Sequence, residues 1–183
     1  TPGGGAAAGI AGAQAAALLG MVAQYSKDES LSLPTIIAMC ETSSRHFLAL
    51  ADQDIAGFNQ VMAAYGLPAN DSAAKQRKQV ALQQALETAA LAPTEMLKAC
   101  LALLSTAITL RDRGNKNLIT DVGIAASLLL SCIQSSRLNL LVNLQAITNQ
   151  TFRDDSLSLL AATATPIADF NQLINSIEAG LAP

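Results

Sequence analysis

With 183 residues, 51% of them hydrophobic but only 3% aromatic, the chain has the length of one domain whose core must be built from Ala, Leu, Ile and Val. A net charge of −3, a pI of about 5.0, no long basic run and few rings for base stacking exclude an ordinary nucleic-acid-binding surface. Cys40, Cys100 and Cys132 stand far apart among apolar residues, which is neither a disulfide framework nor a zinc motif; it points to buried, reduced thiols and a cytoplasmic setting. The single His46 lacks a partner at ligand spacing, so no metal site is expected.

Thr1-Pro-Gly-Gly-Gly5 reads as a flexible turn entering a helix over about 6–26. The N–H groups of such a helix start favour an anion. Ala6–Ala23 carries no charge and reaches the edge of membrane-spanning length. Yet Ala and Gly dominate it, Gln14 interrupts it and no basic flank or aromatic belt is present, so a packed internal helix is the expectation and no membrane is invoked. Its glycines, each costing about 0.5–1 kcal/mol against Ala, call for the close approach of a neighbouring helix. Pro34 opens a second helix to about Tyr65, with Asp52 and Asp54 at its middle and Gly66-Leu-Pro68 as its stop. Asn70-Asp71-Ser72 caps a third helix to about Leu91, and Pro93 opens a fourth to about Arg113, with Gly114 as a left-handed terminator.

Gly114-Asn-Lys-Asn117 then leads into a fifth helix capped by Thr120, with Asp121 in its first turn, running to about Thr148. Along it Ser127, Ser131, Ser135, Asn139 and Asn143 recur every fourth residue as a slanting polar ridge. Asparagine is a poor helix-interior residue because its amide competes for backbone hydrogen bonds. Two of them one turn apart mark either a buried amide network or a polar cleft. The last segment, about 149–180, is helical with a break near Pro166. No stretch alternates like a strand. The fold expected is all-α, one domain over 1–183, a bundle of five to six helices.

Taken together, these pieces resemble the cyclodeaminase/cyclohydrolase family of folate one-carbon metabolism, which includes the cyclodeaminase half of formiminotransferase-cyclodeaminase and stand-alone methenyltetrahydrofolate cyclohydrolases. The resemblance rests on the Thr-Pro-Gly-Gly-Gly start and on Leu50-Ala-Asp52-Gln-Asp54 with Phe58. It rests further on Gly66-Leu-Pro68, Arg77, Ala89-Ala-Leu-Ala-Pro93, Gly114-Asn-Lys-Asn117 with Thr120-Asp121-Val-Gly123, and Leu138-Asn139-Leu-Leu-Val-Asn143-Leu. Gln24-Tyr25-Ser26-Lys27 departs from the Asn and Thr-Gly-Lys-like turn that the family often carries there, and the family's helix ahead of the Pro-Gly-Gly-Gly turn does not occur in this sequence.

The resemblance implies a homodimer acting on a one-carbon unit carried by tetrahydrofolate, in free or polyglutamylated form, with no tightly bound cofactor. It implies Asp121 as proton-transfer group, Asp54 as a second acid/base and Asn117 as an orienting donor. It further implies substrate contacts from Gly3, Gly4, Gly5, Lys27, Asn115, Lys116, Asn139 and Asn143. The alternative is a non-catalytic helical module that binds folate or serves assembly. The two separate on whether Asn117, Asp121, Asn139 and Asn143 converge on one cleft.

Overall fold

The computed structural model describes residues 2–182; Thr1, the first residue of the glycine turn, lies outside them. Six α-helices follow in order: α1 (Gly4–Gln24), α2 (Leu33–Tyr65), α3 (Ser72–Arg113), α4 (Ile119–Leu144), α5 (Gln150–Ala162) and α6 (Ala164–Leu181). A single 3-10 turn, Lys116–Leu118, precedes α4, and the described residues contain no strand. Successive pairs among α1 to α4 pack on one another and α4 returns to α1, closing a four-helix bundle; α6 packs on α4 and α3 from outside, and α5 touches α4 and α6.

Helix α1 is the central rod. Ala15, Ala16, Leu19, Val22 and Ala23 are wholly inaccessible, so its unbroken apolar character reflects burial among α2, α3 and α4. The expected close approach is present: a Cβ on Gly12 would stand 2.5–2.8 Å from the ring of Phe47, itself fully buried. Leu97, Leu103, Leu110, Leu129, Ile133 and Leu140 supply much of the remaining core. All three cysteines are free and buried, and burial pushes the Cys40 thiol up to about 11.

Several boundaries depart from the sequence reading. The expected third and fourth helices are one helix of 42 residues, with Pro93 buried inside it. Pro93 cannot donate to the Ala89 carbonyl, but packing against both α2 and α4 accompanies a helix that continues through it. Gly114 is extended (φ −76°, ψ −177°) rather than left-handed. Its lack of a side chain matters because its own N–H bonds the Leu110 carbonyl at 2.9 Å, leaving no room for a Cβ. Thr120 does not cap α4; Asn115 caps the preceding 3-10 turn by accepting from the Asn117 N–H at 3.1 Å. The final break falls at Thr163, and Pro166 sits within the first turn of α6, where its missing N–H leaves no intrahelical bond unmade. The Asp71 cap is as expected, accepting from the Ala74 N–H at 2.7 Å.

Candidate active site

The up-down-up-down order brings the start of α1, the second half of α2, the middle of α3 and the end of α4 to one end of the bundle. There they enclose a cavity of about 510 Å³. Pro2 and Gly3–Gly5 form one side of it. Asp54, Ile55, Phe58, Val61, Met62 and Tyr65, a helical stripe of α2, form another; Asn139, Val142 and Asn143 come from α4. Leu86 and Ala89 of α3 close the floor.

Helix α1 begins two residues earlier than the sequence suggests, so Gly4 and Gly5 are its first turn and Gly3 its N-cap. A helix start leaves its first N–H groups unpaired, and Gly3 has no side chain to receive one. Asp54 reaches across from α2 instead, its carboxyl group resting against Gly5 close to the Ala6 N–H, which favours the charged form. Burial raises the proton affinity of Asp54 above that of an ordinary carboxylate, and the Ala6 N–H partly offsets that rise. Among the described lining residues Asp54 is the only charged group, and Tyr65 is the only other titratable one.

The amides of Asn139 and Asn143 each donate one turn back along α4, to the carbonyls of Ser135 at 3.0 Å and Asn139 at 3.1 Å. That leaves each side-chain oxygen as an acceptor beside the cavity, two polar contacts in an otherwise apolar wall. The polar ridge is exposed at Ser127 and Ser131, half-buried from Ser135 onward, and lines the cavity at Asn139 and Asn143.

Of the predicted residues, the cavity gathers Gly3, Gly4, Gly5, Asp54, Asn139 and Asn143. It does not gather Asp121, Asn117, Asn115, Lys116 or Lys27, and for these the expectation of one shared cleft within the chain is corrected. Eighteen helical residues separate Asp121 from Asn139, roughly 27 Å of axis. At that far end the Gly-Asn-Lys-Asn turn ties helices together. Asn115 donates its amide to the Tyr25 carbonyl at 2.9 Å and its N–H to the Ser26 hydroxyl at 2.9 Å. Lys116 donates to the carbonyls of Arg111 at 2.8 Å and Asp112 at 2.7 Å, satisfying the open end of α3. Lys27 and Asn117 are exposed and Asp121 is half-buried at the start of α4.

Phe58 and Tyr65 are the aromatic members of the lining. Their spacing of seven from one another, and of four from Asp54 to Phe58, was the signal that places them on the acid's face of α2. Pro2, Val142 and Ala146 carry no comparable mark. No group of three His, Cys, Asp or Glu able to hold a metal ion occurs among the described residues.

Residues 1–161 match the family model described as formiminotransferase-cyclodeaminase. The chain is 31% identical over 181 residues to the methenyltetrahydrofolate cyclohydrolase of Methylorubrum extorquens, covering 95% of this chain and 86% of that one. It is 29% identical over 161 residues to the formimidoyltransferase-cyclodeaminase of Gallus gallus, covering 85% of this chain but only 30% of that longer protein. Its fold is similar to the crystal structure of formiminotetrahydrofolate cyclodeaminase from Thermotoga maritima, with a TM-score of 0.86, 30% identity, and coverage of 99% of this chain and 89% of the other.

Proposed function

The chain belongs to the formiminotransferase-cyclodeaminase family, and from that premise we propose that it acts on the C–N bonds of tetrahydrofolate one-carbon adducts at the α1–α4 cavity. The reaction is that of a methenyltetrahydrofolate cyclohydrolase or a formiminotetrahydrofolate cyclodeaminase. Methenyltetrahydrofolate is the substrate of the first and the product of the second. Its bridging carbon lies between two nitrogens that share one positive charge. The observation that carries the proposal is a cavity whose one charged lining group among the described residues is a carboxylate, flanked by two amide oxygens and apolar walls. Such a site suits a delocalised cation with an apolar ring system.

In the hydrolytic direction a water adds to the bridging carbon and gives up a proton to Asp54. The tetrahedral adduct then breaks one C–N bond as that nitrogen takes the proton from Asp54 and the adduct's hydroxyl releases its own to solvent, leaving the formyl group on the other nitrogen. In the deaminating direction a ring-forming nitrogen adds to the formimino carbon, and the adduct expels ammonia after proton transfer to the leaving nitrogen. Asp54 serves both as the proton-transfer group, helped by its raised proton affinity. Asn139 and Asn143 orient the water or the nitrogens, Phe58 and Tyr65 flank the ring, and the N–H groups of Gly3 and Gly4 meet a polar edge of the substrate. No basic side chain is among the described lining residues, so the carboxylates of a glutamate tail extend beyond the cavity.

We further propose a homodimer. Phe58 and Tyr65 are each 50% exposed at the cavity rim, Val142 is 60% and Leu138 70%, an apolar surface suited to a second copy. Size-exclusion chromatography showing a monomer at micromolar concentration would overturn that.

Incubation with each folate, following methenyl absorbance, tests the reaction: the signal falls for a cyclohydrolase and rises for a cyclodeaminase. Folate binding without turnover of either adduct would establish a non-catalytic binding module instead.

A further inference from the structure

The three glycines at the cavity's edge are not equivalent. A Cβ added to Gly3 or Gly4 would meet nothing within 4 Å, whereas one added to Gly5 would overlap the Asp54 carboxyl group. Gly5 is buried, and the acid rests directly on its Cα. The N–H of the next residue, Ala6, lies close enough to that carboxyl to favour its charged form. With any larger residue at position 5, Asp54 could not reach the Ala6 N–H without a shift of α1 or α2.

We propose that Gly5 is a positioning residue, whose bare Cα forms the seat that holds the Asp54 carboxyl against the first turn of α1 and aims it into the cavity. Its part is therefore different from that of Gly3 and Gly4, whose surroundings are open. The inference rests on the reading of Asp54 as the proton-transfer group. The seat acts in two ways. It delivers a neutralising N–H and the positive end of the α1 dipole to the anion, against the penalty of burial. It also removes rotational freedom from the carboxyl, so that the reacting proton has a fixed position. The groups facing Asp54 from α1, α3 and α4 are otherwise glycine, alanine, leucine, valine and the two asparagines. Tyr65 on its own helix is the one other titratable lining residue among those described.

The test is an NMR titration of the free protein, following the Asp54 carboxyl carbon and the Ala6 amide. In the native protein the Ala6 amide shift should follow the Asp54 titration with the same midpoint. Gly5→Ala should abolish that correspondence, while Gly4→Ala should preserve it. With Gly5→Ala, kcat should fall at least tenfold and the pH profile of kcat should move, with a smaller change in KM. A Gly5→Ala protein whose Ala6 amide still tracks Asp54 overturns the proposal, as does a native protein in which it never does. Should Gly5→Ala fail to fold, Gly5→Ala/Asp54→Ala decides. The added Cβ then enters the space the carboxyl has left, so the double variant should fold, and its failure to do so refutes the seat. If neither folate is turned over while the Ala6 amide still tracks Asp54, the enzymatic reading falls and the seat stands.

Discussion

Replacing Asp54 by Asn should move activity and stability in opposite directions. The carboxamide keeps the size of the side chain and an oxygen for the Ala6 N–H, but it cannot carry a proton at neutral pH. No other carboxyl lines the cavity among the described residues, so nothing nearby can take over the transfer. The loss of turnover should therefore approach the full value of a positioned acid/base, roughly 10²–10⁴-fold, equivalent to about 3–5 kcal/mol. Stability follows from the same burial. Asp54 binds its proton more tightly folded than unfolded, because desolvation disfavours the charged form. Over the interval between the unfolded and the folded pKa, the native state thus holds a proton that the unfolded chain has released. The stability drawn from this group is complete below the unfolded value and is lost as pH rises through the folded one. Asn has no charge to bury at any pH. Melting curves of the variant and the native protein should converge in acid and separate as pH rises through the folded Asp54 pKa, with Asp54→Asn the more stable above it. Methenyl absorbance kinetics alongside thermal melts at several pH values give both readouts. A variant retaining more than a tenth of native turnover, or a native protein that melts higher at pH 8, would refute the reasoning.

Gly12→Ala gains about 0.5–1 kcal/mol of helix propensity but sets a Cβ 2.5 Å from the buried Phe47 ring. Overpacking of about 1–3 kcal/mol should win, lowering the melting temperature by several degrees in a thermal scan. Asn143→Leu improves local helix propensity yet removes a polar atom from the cavity wall. Its kcat/KM should drop roughly ten- to a hundredfold, the effect of a lost hydrogen bond to a charged partner at about 1.5–3 kcal/mol, with the melting temperature held. Lys116→Met strips the end of α3 of its two carbonyl contacts. Denaturant titration should show a loss of about 0.3–1 kcal/mol with turnover within twofold of native; a collapse in turnover would return Lys116 to the substrate.

The helices were legible because long runs free of strand alternation are punctuated by Pro, Gly and capping residues, as at Gly66-Leu-Pro68 and Asp71. Pro93 shows where local rules end. Its ring and missing N–H argue for a boundary, and the contacts with α2 and α4 that accompany a continuous α3 are invisible along the chain. Thr120 failed as a cap for the opposite reason. Asn115, five residues earlier, already turns the chain and hands α4 its first residues in helical geometry.

The candidate site divides along a similar line. Asn139 and Asn143 stood out because an amide inside an apolar helix has a local cost, and that cost correctly marked the cavity wall. The Gly-Asn-Lys-Asn turn looked equally polar and concentrated, but polar residues at a helix junction incur no such penalty, since open carbonyls and N–H groups there need partners. Asn115 and Lys116 fill those needs, holding the end of α1 and closing the end of α3. Polarity alone therefore separates cavity residues from helix-junction residues poorly, and polarity against local propensity separates them better. Asp54 satisfies the stricter criterion twice. It is an acid in the interior of a long helix, and its partner is a glycine far away in sequence that has no room for any other side chain.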